Sequence, residues 1–200
     1  MNKDETRLHI ITTAAALFAR NGFANTSMND IVRETGLSKG GIYWHFRSRE
    51  EIVEAIFAQY FEAQIALLAA FKQEQGPVGA RIRTLVQRAG EDLGETGQLF
   101  PEPLEFYAQA LRDENLLNQL KTYFDAYAMH LADLIQQGMA SGEFAAGNAQ
   151  QAAIILISAL EGIILLHTLT ASQDALDSQL MAAAEIFLSG LKNSAGDTTT

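Results

Sequence analysis

The sequence predicts an all-α protein, and two observations carry this prediction. Apolar residues recur at the helical period in nearly every segment, as with Leu8, Ile11, Ala15 and Phe18 near the start of the chain. No stretch sustains the alternation of apolar and polar residues, enriched in β-branched side chains, that predicts a strand. Turns that contain glycine or proline separate the periodic segments, so we expect a series of helices joined by short connections.

Composition indicates a compact chain of one or two small domains. Its 200 residues are 48% hydrophobic and include only three prolines, which is enough apolar material for a core. Because cysteine is absent, disulfides, thiolate metal sites and cysteine nucleophiles are excluded, and this fits a reducing cytoplasm. The first residues lack the apolar run and cleavage site of a signal peptide, so we expect a cytoplasmic protein.

Charge is distributed unevenly along the chain. The net charge is −10, yet residues 1–50 carry seven basic and five acidic side chains, so that the remainder carries −12. A strongly acidic remainder argues against a protein that coats nucleic acid without sequence preference. Any contact with a polyanion is therefore expected in the N-terminal segment.

The first two helices are predicted from their periodicity and their end signals. The first extends over about 4–21, and Gly22 is placed to provide a left-handed C-terminal cap. A second, short helix begins after Thr26 and Ser27, either of which could cap it, and ends at Gly36. Together they indicate two helices in quick succession.

A third short helix follows a possible Ser38 cap. Its Ile42 and Phe46 share one face and are expected to point inward. Lys39, Gly40, Tyr43 and Trp44 do not belong to this inward face. The segment thus has the helix, turn, helix order of a DNA-binding helix-turn-helix, whose second helix enters the major groove.

A long fourth helix starts at Ser48 followed by Glu51, the signature of a capping box, and is predicted over about 49–73. Further helices are predicted at about 78–95, 102–112, 114–140, 149–169 and 174–191. The tail from residue 193 is expected to be disordered.

Two adjacent glycines inside the third helix need an explanation. Each glycine costs about 1 kcal/mol of helix stability relative to alanine, so helix propensity does not select Gly40 and Gly41. Without side chains, the backbone at these positions can approach another surface closely. The rim of a DNA groove or a row of phosphates would favour such an approach.

The segment TSMNDIVRETGLSKGGIYWHFRSREEIV, residues 26–53, resembles the DNA-binding signature of TetR-family repressors. The resemblance is strong over residues 8–56 and extends in outline to the GMASGEF turn. It implies a helix-turn-helix domain over 1–48 and an effector-binding and dimerisation domain over 49–192, followed by the tail at 193–200. It further implies a regulator, most simply a repressor, that binds a palindromic operator in double-stranded DNA and is released by a small molecule.

The resemblance also implies roles for single residues. Ser27 and Tyr43 would bind backbone phosphates, Lys39 a phosphate or a base edge, and Gly40 would permit close approach. His45 lies where the family often contacts the DNA backbone, and Arg49 replaces the lysine that is usual at the start of the fourth helix. Gly41 and Trp44 depart from the family pattern. The complete predicted DNA-binding set is Thr26, Ser27, Lys39, Gly40, Gly41, Tyr43, Trp44, His45 and Arg49.

Aromatic and polar-tipped residues in the acidic part predict a pocket for an effector. We expect a small, largely apolar molecule to bind between the fourth and eighth helices. Individually, an aromatic residue of this kind is more often part of the core than of a pocket. The candidates are Tyr60, Phe100, Phe106, Tyr107, Tyr123, Tyr127 and His130. No metal site and no cofactor are expected, since two isolated histidines without a third ligand do not bind a metal.

The segment 149–169 is apolar nearly all round, and a helix of that kind needs more cover than its own small domain provides. In the family that the chain resembles, the last two helices form a four-helix bundle between two subunits, so we expect a homodimer. No membrane insertion is expected, because polar residues interrupt the segment and no Lys or Arg flanks it. The predicted interface is Ile154, Ile157, Glu161, Ile164, Leu165, Leu180, Ala184 and Phe187.

Other functions remain open at this point. An enzyme is not expected, since no nucleophile elbow, phosphate-binding loop or zinc motif occurs. An architectural DNA binder would be basic throughout, which this chain is not. An activator or a corepressor-dependent regulator of the same fold remains possible, because whether a bound regulator activates transcription depends on where the operator lies.

Overall fold

This computed structural model describes residues 2–96, 103–170 and 175–192, without the side chains of 92–96 and 103–106. Within the described residues the chain is helical and forms no strand. The described helices are α1 (Lys3–Asn21), α2 (Met28–Thr35), α3 (Lys39–His45), α4 (Arg49–Gln73), α5 (Val78–Thr96), α6 (Pro103–Ala110), α7 (Glu114–Ala140), α8 (Ala149–Thr170) and α9 (Leu176–Leu191). The predicted all-α fold is confirmed. The tail at 193–200 lies outside the described residues.

Packing divides the chain into two compact units that cut across the limits predicted from sequence. Of the described residues, the first unit contains 2–63, 95–96 and 103–120, and the second contains 64–94, 121–170 and 175–192. The first half of α4 and the whole of α6 thus pack with the helix-turn-helix helices. The domain limit at residues 48 and 49 stays a prediction.

The first unit has an aromatic and aliphatic core. The ring centroids of Phe18 and Phe23 lie 4.8 Å apart, and those of Phe23 and Phe57 lie 6.3 Å apart. Ile10, Leu17, Ile31, Ile42 and Ile52 of α1 to α4 are buried with them. Of the apolar face predicted for α1, Ile11, Ala15 and Phe18 are buried, whereas Leu8 is 50% exposed.

The ends of α1 and α2 follow their sequence signals with one difference. Gly22 has the expected positive φ of 79°, but its ψ of 160° lies outside the left-handed helical region, so the predicted cap conformation is wrong. Gly36 ends α2 in the left-handed region, at φ 67° and ψ 7°. Glycine is the residue that adopts both conformations at little steric cost.

The second unit has its own core, built from α4, α5, α7, α8 and α9. At the turn after α7, Phe144 packs onto Gly138, where an added Cβ would lie 2.4 Å from the ring. A larger residue at position 138 would displace the ring. The largest fully buried side chains of this core are Leu68, Phe71, Ile82, Leu131 and Leu134.

Two charged side chains join the helix ends of the second unit. The buried guanidinium of Arg81 donates to the carbonyls of Phe71 (3.1 Å) and Glu74 (2.9 Å) at the end of α4. The carboxylate of Glu143 accepts from the backbone N–H groups of Val78 (2.6 Å) and Gly79 (2.8 Å) at the start of α5. Each charge has the sign that the helix dipole favours at that end. The corner between α4 and α5 is therefore held by both charges.

We expect replacement of Arg81 by methionine to lower the free energy of unfolding by about 3 kcal/mol, because it leaves buried carbonyls unpaired. The matched control is Arg83→Met, two residues along the same helix. Arg83 pairs with Glu185 on the surface, where an ion pair contributes about 0–1 kcal/mol. Urea denaturation of both variants measures the difference. Equal losses would contradict the role given to Arg81.

Candidate nucleic-acid interface

One face of α3 is fixed to the core of the first unit. Ile42 and Phe46 are buried, as predicted from their spacing. The Ser38 hydroxyl caps the helix by accepting from the N–H of Gly41 at 3.1 Å. The opposite face is left open to solvent, where Tyr43 is 41% and Trp44 66% exposed.

The two glycines of α3 have different surroundings. A Cβ added at Gly41 would lie 3.1 Å from the Ser38 hydroxyl oxygen, so a side chain there would crowd the helix cap. A Cβ added at Gly40 would meet no atom within 4 Å. Packing within the chain therefore accounts for Gly41 but not for Gly40.

Charged and aromatic side chains are grouped around the exposed face of α3. The exposed Lys39 places its ammonium 5.7 Å from the ring centroid of Tyr43. The half-buried His45 meets the Trp44 ring edge-on, with centroids 4.6 Å apart. A cation, a phenol and an indole are thus presented together, which suits a surface that carries negative charge and flat bases.

Ser27 caps α2, as the sequence predicts. Its hydroxyl bonds to the Asp30 carboxylate, which also accepts from the Ser27 backbone N–H at 2.9 Å. These two bonds, followed by that from Arg33, hold the pKa of Asp30 below its usual range. Because Asp30 stays ionised, the capping box persists at neutral pH, and Ser27 remains exposed at the start of α2.

The predicted contact of Thr26 with DNA is at odds with its position. The side chain is only 1% exposed, and its hydroxyl donates to the carbonyl of Gly22 at 2.9 Å. A buried hydroxyl that serves the turn between α1 and α2 has no surface to offer a phosphate. We therefore leave Thr26 out of the proposed interface.

Arg49 lies at the start of α4, but its guanidinium is directed inward. It donates to the carbonyls of Phe23 (2.6 Å) and Thr26 (3.3 Å) and pairs with Glu50 at 3.1 Å. These bonds attach the first turn of α4 to the turn between α1 and α2. A direct contact of this side chain with DNA stays a prediction. Its hydrogen bonds to the two carbonyls show that it positions the start of α4.

From the sequence alone, Arg7 and Arg20 are expected to be plain surface charges. Arg20 fits that description, because it pairs with Glu34 at 2.6 Å. Arg7 does not, because its guanidinium carbon lies 5.1 Å from the ring centroid of Phe46. Lys3 similarly lies 5.0 Å from the Trp44 ring. Helical spacing alone gave no signal for these contacts, since the residues of each pair are more than 30 positions apart in the chain.

The apolar face of α8 and α9 is largely uncovered. Only 17% of the most apolar 18-residue stretch of α8 is buried. By length and composition alone, α8 and α4 are each long and apolar enough to cross a membrane. Core helices of soluble proteins can be equally long and apolar, so this property is weak evidence for a membrane span. The exposed large apolar side chains here are Ile154, Ile155, Leu166, Leu169 and Ile186.

The predicted interface residues divide by burial. Leu180 and Ala184 lie in the core of their own unit, so their side chains are not available to a partner. Ile154 is exposed. The half-buried members are Ile157, Glu161, Ile164, Leu165 and Phe187. Ile155, Leu166 and Ile186 are also exposed. The sequence did not single them out, because helices that are apolar nearly all round do not indicate which side is covered.

The predicted effector residues are only partly brought together. The rings of Tyr123 and Tyr127 lie 5.6 Å apart on α7. His130, one turn further along, contacts the Lys72 ammonium through Nδ1 at 3.3 Å. In the first unit, Tyr60 meets Phe61 edge-on, and Tyr107 is half-buried. Phe100 and the side chain of Phe106 lie outside the described residues.

A cavity of about 330 Å³ lies between α7 and α8. Its lining combines apolar residues such as Phe124 and Ile154 with the carboxylates of Asp125 and Glu161. No predicted effector residue lines it, whereas the predicted interface residues Ile154, Ile157 and Glu161 do. Within the described part of the chain, no group of three or more His, Asp or Glu side chains could hold a metal ion.

Two family models match most of the chain. The model described as "Bacterial regulatory proteins, tetR family" matches residues 10–56, which include α2 and α3. The model described as "BetI-type transcriptional repressor, C-terminal" matches residues 79–191, from α5 to the end of α9.

Individual relatives agree with these models. The uncharacterized HTH-type transcriptional regulator YfiR of Bacillus subtilis is 31% identical over 144 residues, which are 72% of this chain and 70% of YfiR. The HTH-type transcriptional regulator TtgR of Pseudomonas putida is 28% identical over 168 residues, 80% of this chain and 79% of TtgR.

The solved structure of SmeT, repressor of the Stenotrophomonas maltophilia multidrug efflux pump SmeDEF, is similar with a TM-score of 0.78. The match covers 94% of this chain and 91% of SmeT, at 19% identity, and shows the fold alone. SmeT has also been solved in complex with triclosan.

We expect Gly40→Ala to raise the stability of the fold by up to about 1 kcal/mol, since alanine favours the helix and its Cβ meets no atom within 4 Å. The same change should weaken binding to duplex DNA if a nucleic acid occupies the open face of α3. Gly41→Ala is the matched control, whose gain is opposed by crowding of Ser38. Thermal unfolding and fluorescence anisotropy of labelled DNA measure the two effects. Unchanged DNA affinity in Gly40→Ala would contradict the close approach.

Proposed function

This chain belongs to the TetR family of bacterial DNA-binding transcriptional regulators, and on that premise we propose that it is a homodimeric repressor released from its operator by a small molecule. The open face of α3 is the observation that carries the proposal. Lys39, Tyr43 and Trp44 project from it, and Gly40 leaves room that none of the described residues occupies. The protein acts in the cytoplasm, where its operator lies, and has no catalytic role.

In the proposed complex α3 lies in the major groove. Lys39 binds a phosphate or the acceptor edge of a guanine, Tyr43 donates its hydroxyl to a phosphate, and Trp44 contacts bases. Ser27 and His45 bind the backbone beside them. The fixed inner face of α3 supports this assignment, because a reading helix has to be held rigidly to discriminate bases.

The uncovered face of α8 and α9 supports a homodimer. A second copy would bury Ile155, Leu166 and Ile186, which one subunit leaves exposed. Twofold symmetry would then place two copies of α3 about 34–36 Å apart, one turn of DNA, so that a palindromic operator is read twice.

Release of the operator follows from differential binding. Arg49 attaches α4 to the turn between α1 and α2, so movement of the first turn of α4 would also move the reading helices. An effector that binds the displaced arrangement more tightly would shift the population away from the operator-bound one. SmeT, of the same fold, is a repressor and binds triclosan, which supports a small and largely apolar effector here.

We expect Leu166→Glu to convert the dimer into monomers and to weaken operator binding about 100-fold or more, because a single copy of α3 lacks the gain from simultaneous binding. Leu111→Glu is the control, since Leu111 is also an exposed apolar residue but belongs to the first unit. Sedimentation velocity and operator titrations provide the two measurements. A wild-type monomer at micromolar concentration would overturn the homodimer.

We expect an effector and the operator to weaken each other's binding by the same factor, typically about 5–150-fold in allosteric proteins. Triclosan is the first probe, followed by a panel of apolar small molecules. Calorimetry with and without operator is compared with operator titration with and without the compound. A bound compound that leaves operator affinity unchanged contradicts release by that compound, and one that tightens operator binding would indicate corepression.

A further inference from the structure

The basic side chains of the first 50 residues divide into two groups by their partners. Within the described part of the chain, three of them form ion pairs, namely Arg20 with Glu34, Arg33 with Asp30, and Arg49 with Glu50. The other four, for which the described residues supply no ion pair, are Lys3, Arg7, Lys39 and Arg47.

The unpaired cations lie around α3. Lys39 is at its start, and Arg47 follows its last residue. Lys3 and Arg7 belong to α1, yet their charged groups lie over the rings of Trp44 (5.0 Å) and Phe46 (5.1 Å). The paired cations are neutralised by their own acids. Free positive charge is therefore concentrated at the surface where Trp44 is exposed.

Lys3 and Arg7 are four residues apart and so share one face of α1. Of the acids beside them, Glu5 accepts from the backbone N–H of Asn2 at 2.8 Å and closes the helix cap. Asp4 lies about 100° further round the helix than Lys3. The two cations consequently form a basic edge that continues the exposed face of α3.

Packing does not account for this edge. Both side chains are exposed, Lys3 over the exposed ring of Trp44 and Arg7 over the buried ring of Phe46. A single contact between a ring and an exposed cation adds little stability. A duplex carries one phosphate charge per about 1.7 Å of its axis, so cations beside a reading helix meet backbone charge. An exposed basic edge next to that helix fits a row of phosphates better than it fits any group among the described residues.

We propose that Lys3 and Arg7 bind backbone phosphates of the operator and so extend the DNA interface from α3 onto the first turns of α1. The inference rests on the proposed function, because it needs α3 to lie in the groove. Lys3 has a second effect in this arrangement, since its ammonium holds the Trp44 ring in place next to the phosphate that it binds.

The test compares two double variants with the same change in charge. The first variant, Lys3→Gln with Arg7→Gln, removes two of the four unpaired cations. The second, Arg20→Gln with Arg33→Gln, removes two paired cations. Circular dichroism checks that both are folded. The affinity of each dimer for an operator selected with the wild-type protein is measured between 50 and 200 mM KCl, with Lys39→Ala as a variant expected to lose affinity.

The first variant loses four phosphate contacts per dimer. The plot of log affinity against log salt should therefore become less steep, with the magnitude of its negative slope reduced by about 3.6. The slope of the paired-cation variant should stay that of the wild type. If Lys3 served only to orient Trp44, affinity would fall without this change of slope. An unchanged slope in the Lys3 and Arg7 variant therefore overturns the inference.

A second measurement locates the phosphates. Operators in which single phosphates are replaced by neutral methylphosphonates should weaken wild-type binding at specific positions, and at some of these the Lys3 and Arg7 variant should show no further loss. Additive losses at every position would overturn the inference while the proposed function stands. A wild-type protein that selects no operator would overturn the proposed function and this inference together.

Discussion

Burial of Ile42 and Phe46 is the constraint on which the arrangement of the first unit depends. A seven-residue helix is too short to be stable alone, so α3 exists because these two side chains enter the core beside α1 and α4. Anchoring one face decides the other, because helical geometry then directs Tyr43 and Trp44 outward. The Ser38 cap and the room left by Gly41 complete the helix without adding any side chain to the exposed face.

Arginines at the two ends of α4 have corresponding roles, each within its own unit. Arg49 donates to the carbonyls of the turn before α2, and Arg81 donates to the carbonyls at the end of α4. A guanidinium suits both places, since its several N–H groups satisfy backbone acceptors that would otherwise lack partners. In both cases the guanidinium holds backbone carbonyls, and α4 is fixed at each end.

The net charge of −10 conceals an opposite local arrangement. Acids of the N-terminal segment are used in caps and ion pairs, as Asp30 is with Ser27 and Arg33. The cations that remain gather beside α3. An acidic chain can therefore present a basic surface for DNA, and its acidic remainder disfavours binding to nucleic acid elsewhere. The same separation explains why overall composition is a poor guide to the partner.

The sequence by itself determined the helices, their limits to within about two residues, and the family signature of α2 and α3, because periodicity and capping are local properties. Tertiary structure alone decided which charges are free and which apolar faces are covered. Arg20 meets an acid 14 residues away, and Arg49 reaches a carbonyl 26 residues away. Leu180 is buried and Ile186 exposed, although both belong to the same apolar helix. Such differences depend on neighbours distant in the chain, which no local pattern specifies.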